Sequence, residues 1–81
     1  MVERIQSKGE LRFGAALRRV RLAAGMTQEQ LGLEADVQRN FISLIELGRN
    51  QPTIATVAKL ARALGMKASE LVAEAEKAHR R

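Results

Sequence analysis

Between Gly25 and Pro52 the chain reads GMTQEQLGLEADVQRNFISLIELGRNQP, a pattern of two short helices with a tight connection between them and a sharp stop. Thr27 stands where its hydroxyl can accept from an orphan backbone N–H, and Gln30, three residues on, can reach back to close a capping box. Met26 and Leu31 flank the cap as an apolar pair that sets the entry angle of the chain. Leu31 and Ala35 then recur at helical spacing, and the run stops at Asp36, a residue type that tolerates turn geometry. A second helix is predicted over 38–47, in which Ile42 and Ile45, with Val37 just ahead, form a narrow apolar stripe. Gln38, Arg39, Asn40 and Ser43 project elsewhere. Gly48 ends that helix in a left-handed cap, and Pro52 prevents it from resuming.

Helices of two or three turns are marginal alone in water, so these two must be held by packing on others. Two short helices joined by a tight turn form a helix-turn-helix, an arrangement whose second helix enters the DNA major groove with its first turn at the base edges. The segment resembles the Cro/CI-type, or xenobiotic-response-element-type, family of phage repressors and their bacterial relatives. The resemblance rests on Gly25, Thr27, Gln28, Glu29 and Leu31, on Val37, Ile42, Ser43, Ile45 and Glu46, and on Gly48, Asn50 and Pro52. It continues into LARALGMKASEL, from Leu60 to Leu71, and so spans roughly residues 11–72.

Outward from the motif, Phe13, Leu17, Val20 and Ala24 lie on one face of a helix predicted over 10–24. Arg12, Arg18 and Arg19 lie off that stripe. Thr53 caps a helix over 54–64 with a wide apolar face of Ile54, Val57, Ala58, Leu60, Ala61 and Leu64, and Gly65 ends it. A last helix over about 67–78 carries Leu71, Val72 and Ala75. The expected architecture is all-α, a cluster of five short helices, which the resemblance identifies as a lambda-repressor-like DNA-binding domain. Residues 1–9 read as a flexible leader, 10–78 as one domain with its motif at about 27–47, and 79–81 as a frayed tail.

At 81 residues the core is thin, and a second subunit would add buried surface. The formal charge of +5 suits a polyanionic partner, but its excess, a net +4, lies in residues 1–25, whereas residues 26–66 are neutral. With no cysteine there is no disulfide framework. Nor does any apolar run approach the length of a membrane span, and no secretion signal is visible, so a cytoplasmic protein is expected. One histidine and one aspartate make a poor catalytic inventory, and no metal-ligand spacing or glycine-rich phosphate cradle occurs. Neither an enzyme nor a cofactor is expected.

The family resemblance implies roles for particular side chains. Gln28, at the N-terminus of the first motif helix, would meet a phosphate, although capping its own helix is the alternative. Arg39 and Asn40 would read bases, since arginine can bridge the two guanine acceptors and asparagine can pair with adenine. Gln38 would cap the helix and touch phosphate, and Ser43 would meet a base or a phosphate. Leu44 departs from the polar residue many relatives hold there. It offers apolar contact to a thymine methyl or, with Phe41 and Leu47, a partly buried protein-contact stripe. Arg49, Asn50 and Gln51 would grip the backbone. Arg21 would pair with Glu46, tying the first helix to the end of the reading helix.

Dimerisation on a palindromic operator fits a domain that alone reads only a few base pairs, and Val57, Leu64, Leu71 and Val72 are the candidate interface. The short chain is similar to stand-alone regulators such as restriction-modification controller proteins. The rival reading is an antitoxin-type module that binds a protein partner, a toxin or a polymerase subunit, as well as DNA.

Overall fold

The computed structural model describes residues 12–80, with side chains through Lys77. Its helices are α1 (Phe13–Ala23), α2 (Gln28–Ala35), α3 (Arg39–Glu46), α4 (Ile54–Ala63) and α5 (Ala68–Arg80), and the described residues contain no strand. The proposed leader, 1–9, lies outside them. The predicted helix over 10–24 is observed from Phe13, its first residues falling outside the described part.

Each boundary has a local cause. The capping box is complete: the Gln30 backbone N–H donates to Thr27 Oγ1 at 3.0 Å, and the Thr27 N–H donates to Gln30 Oε1 at 2.8 Å. α2 ends at Asp36, which adopts φ 59°, ψ 48°, a left-handed conformation that short polar side chains tolerate better than most. α3 ends at Gly48 with φ 78°. There Gly48 N–H donates to the Ile45 carbonyl and Arg49 N–H to the Leu44 carbonyl, both at 2.9 Å, a Schellman closure that needs a residue without a Cβ penalty. α4 starts at Thr53, whose hydroxyl accepts from Thr56 N–H at 3.1 Å. Ahead of α5, the Lys67 N–H donates to Glu70 Oε1 at 2.8 Å.

The core gathers one stripe from every helix. Leu17, Leu31, Ile42, Ile45, Leu60 and Leu71 are each less than 2 % exposed, with Phe13, Ala16, Ala35, Ala61 and Ala75 filling between them. α1 packs on α5 and α3, while α2 rests on α3 and α4. α3 is thereby buttressed from behind by its two isoleucines, with Met26, Val37 and Phe41 partly buried around them.

Several expectations change on the full geometry. Ala24 is the exposed C-cap of α1 rather than part of its buried stripe, because Ala16 and Arg21 occupy the inner face instead. The apolar face of α4 is narrower than its composition suggests. Only Leu60 and Ala61 are buried, Val57 and Leu64 are half-buried, and Ile54 is 83 % exposed. Leu71 has no exposed surface. It is a core residue and cannot contribute to a subunit interface without unfolding α5.

Candidate nucleic-acid interface

α3 presents its first turn to solvent because its apolar residues, Ile42 and Ile45, fall three apart on the opposite side. Gln38, Arg39 and Asn40 are all exposed at its N-terminus. Gln38 occupies the N-cap position with extended backbone, yet its side chain makes no capping bond. The expected capping role is therefore not seen, because a glutamine side chain is longer than the short residues that reach back to the N2 or N3 amide. Ser43 and Leu44 follow half-buried. Of the apolar stripe predicted beside them, Phe41 is half-buried and Leu47 is 66 % exposed.

Beyond α3, Arg49 and Gln51 are exposed and Asn50 is half-buried. The Asn50 N–H donates to the Leu44 carbonyl at 3.3 Å, so this loop is folded back on the end of the helix. The exposed polar side chains of the α3 first turn and of the following loop thus flank one short helix, on a segment whose backbone is hydrogen-bonded at both ends.

Behind this surface sits one charged cluster. Arg21 Nε donates to Glu46 Oε2 at 2.6 Å, and a second guanidinium N–H donates to Glu46 Oε1 at 2.9 Å. The two side chains are 8 % and 3 % exposed, so this is a bidentate pair with little water around it. Arg21 also donates to the Met26 carbonyl at 2.9 Å, gripping the chain just before α2. Burial pushes the Glu46 carboxyl up, but hydrogen bonds from Arg21 and Gln28, with the positive charges of Arg21 and Arg18, outweigh it and hold the group below the ordinary glutamate range. The same bond to Glu46 raises Arg21.

Gln28 is the residue whose surroundings differ most from a purely solvent-facing reading. Its side-chain N–H donates to Glu46 Oε1 at 3.0 Å, joining the start of α2 to the end of α3. No spacing rule in the sequence signals this bond, because the two residues are eighteen apart and come together only when the helices cross. Gly14 is silent in the sequence for the same reason. A Cβ there would collide with the Ile45 carbonyl oxygen and approach the Glu46 carbonyl at 2.9 Å, so α1 can lie against α3 only with glycine at this crossing. Of the other residues assigned to a subunit interface, Val57, Leu64 and Val72 are half-buried on α4, its C-cap and α5.

A helix of eight residues with apolar residues behind and exposed polar residues in front, set against a second short helix across a turn, defines a helix-turn-helix unit. The helix-turn-helix family model HTH_3 matches residues 17–71. The chain is 36% identical over 63 residues to the control protein C.BamHI of Bacillus amyloliquefaciens, covering 76% of this chain and 78% of that one. Among solved structures, the restriction-modification controller protein C.AhdI from Aeromonas hydrophila superposes with a TM-score of 0.72 at 33% identity, over 75% of this chain and 92% of that one. The clp gene regulator ClgR from Corynebacterium glutamicum superposes with a TM-score of 0.81 at 28% identity, over 86% and 74%.

The chain belongs to the Cro/CI-type helix-turn-helix family. It is a DNA-binding transcriptional regulator, in a family of regulators rather than of enzymes, with relatives among the controller proteins. No helix of the described residues is long and apolar enough to cross a membrane.

Proposed function

We propose that the protein binds a palindromic operator as a homodimer, each copy laying α3 in the major groove of one half-site. The observation that carries the reading is the first turn of α3. Gln38, Arg39 and Asn40 are exposed there, while the end of the same helix is anchored by the buried Arg21–Glu46 pair. An α-helix with its side chains is about 10–12 Å across, which matches the width of the groove it would enter. Arg39 and Asn40 read bases, and Ser43 and Leu44, one turn on, lie at the next edge with Leu44 against a thymine methyl. Gln28, Gln38, Arg49, Asn50 and Gln51 hold the sugar-phosphate backbone on either side and set register rather than sequence.

The second copy docks on the face of α4 and α5 where Ile54, Val57, Leu64 and Val72 leave apolar surface exposed or half-exposed. Likeness to control proteins supports a small cytoplasmic regulator, which acts through operator occupancy and its own concentration. The test is the Arg39→Ala, Asn40→Ala double variant, compared with the parent protein on duplexes selected from a random pool. Operator preference is expected to vanish while the helical signal in circular dichroism is unchanged; an unchanged selected sequence would refute the assignment of these readers.

A further inference from the structure

At about 3.6 residues per turn, Asn40, Leu44 and Leu47 fall on the side of α3 opposite Ile42 and Ile45, with Ser43 beside them. Phe41 turns inward to pack on the core, whereas Leu44 is half-buried and stands outside that cluster. Its backbone is pinned, because the Leu44 carbonyl accepts from the Arg49 N–H at 2.9 Å and from the Asn50 N–H at 3.3 Å. A helical leucine leans toward the N-terminus of its helix, so this side chain lies along the outer face in the direction of Asn40. The outward face of α3 is therefore polar in its first turn and apolar one turn on. The apolar group that a side chain meets in the major groove is the methyl on C5 of thymine, and 5-methylcytosine carries the same methyl on the same ring carbon. The two pyrimidines differ at position 4, where thymine has a carbonyl oxygen and cytosine an amino group. A serine hydroxyl serves both, donating to the first or accepting from the second.

We infer that Ser43 and Leu44 together read a C5-methylated pyrimidine rather than thymine alone, so that the protein binds more tightly when a cytosine facing Leu44 carries a C5 methyl group. The inference rests on the proposed placement of α3 in the major groove. Leu44 supplies the apolar contact, and Ser43 accommodates either group at position 4. Arg39 and Asn40, one turn earlier, pair with the hydrogen-bonding edges of purines and take nothing from the methyl. Opposite an unmethylated cytosine, the Leu44 side chain displaces water from the groove and gains no apolar partner in return. Removing one methyl group from water is worth about fourfold in binding, and about sixteenfold when both half-sites carry it. Operator occupancy then follows the methylation state of the duplex, an input that arrives through the DNA and needs no ligand pocket in the protein.

The experiment measures affinity, at fixed salt, for duplexes built on the operator selected by the parent protein. At each position in turn, and at its symmetry mate, the duplex carries thymine, uracil, cytosine or 5-methylcytosine with the matching purine opposite. Comparing thymine with uracil, and 5-methylcytosine with cytosine, changes one methyl group and no hydrogen-bonding group. It also changes the DNA alone, so the folding of a variant does not enter. One position per half-site is expected to show both methyl effects, each about fourfold per half-site. Leu44→Ala should abolish both, as should Leu44→Gln, which keeps the length of the side chain and serves if the alanine variant does not fold; Leu47→Ala should keep them. Overturning results are a parent protein indifferent to the methyl at every position, or methyl effects that persist at full size in the Leu44 variants. A methyl effect for thymine with none for 5-methylcytosine also overturns the inference, since Leu44 then reads thymine alone. In each of these cases the groove reading stands. A parent protein with no base preference, or an Arg39→Ala, Asn40→Ala variant that selects the parent's sequence, removes the groove reading itself and this inference with it.

Discussion

Glu46 shows how one residue joins the first helix to the surface proposed to face DNA. Its carboxylate receives Arg21 in a bidentate pair and Gln28 besides, and its side chain is 3 % exposed. Because folding holds this carboxyl below its unfolded range, the unfolded chain binds more protons as the solution is acidified. The stabilisation is fully present above the unfolded value, about pH 4.3, and is lost as pH falls through the lower folded value. Melting temperature is accordingly expected to fall with acidification below about pH 5, and Glu46→Gln should flatten that part of the profile. At neutral pH the same substitution strands the Arg21 charge and is expected to cost about 3 to 5 kcal/mol, read from denaturant unfolding. A smaller surface-like loss would show that water reaches the pair. Arg49, exposed in the loop, belongs to the opposite class. Arg49→Ala should leave stability unchanged, weaken binding to all duplexes alike, and lower the salt dependence of log K by about one unit of slope.

Among the elements, α2 and α3 were the most legible, because every signal that bounds them is local. The Thr27–Gln30 box, the turn at Asp36 and the cap at Gly48 lie within a few residues of the ends they specify, and all three form. The same holds for Thr53 ahead of α4. What the sequence left unread depends on how the helices cross. Gly14 carries no signal until α1 is laid on the Ile45 carbonyl, and the Gln28–Glu46 bond exists only once α2 and α3 are docked. Likewise, composition cannot say which apolar residues of α4 and α5 face inward, and Leu71 proved to be core while Ile54 faces solvent. Two substitutions test this picture. Gly48→Ala forces a left-handed φ on a residue with a Cβ, with nothing crowding it, and should cost about 1 to 2 kcal/mol. Gly14→Ala must instead push α1 off α3, where two backbone carbonyls cannot yield. Its loss should be larger, about 2 to 4 kcal/mol on the scale of core disruption, and should weaken DNA binding beyond its effect on folding. Equal losses for the two variants would mean that the α1–α3 crossing is looser than it stands here.

At the scale of the whole molecule, five helices serve mainly to hold one short helix outward. The core behind α3 is small, and Ile42→Ala, at a site with no exposed surface, is expected to cost about 2 to 5 kcal/mol and to lower DNA binding only through the fraction folded. In the proposed complex two copies, each with one reading helix, would occupy half-sites about 34 Å apart. Ile54, 83 % exposed at the start of α4, is the apolar group with most to gain from a partner copy. Ile54→Glu is expected to shift the solution mass towards the monomer and to weaken operator binding without altering base preference. In the proposed complex the surface of α3 reads sequence as part of a dimer. The most direct test of this reading is selection of bound duplexes from a random pool at near-physiological salt, with the mass of the protein–DNA complex determined in parallel. An enriched palindrome bound by two copies is the expected result; a complex that shows no enrichment, or a single copy bound with full specificity, would contradict it.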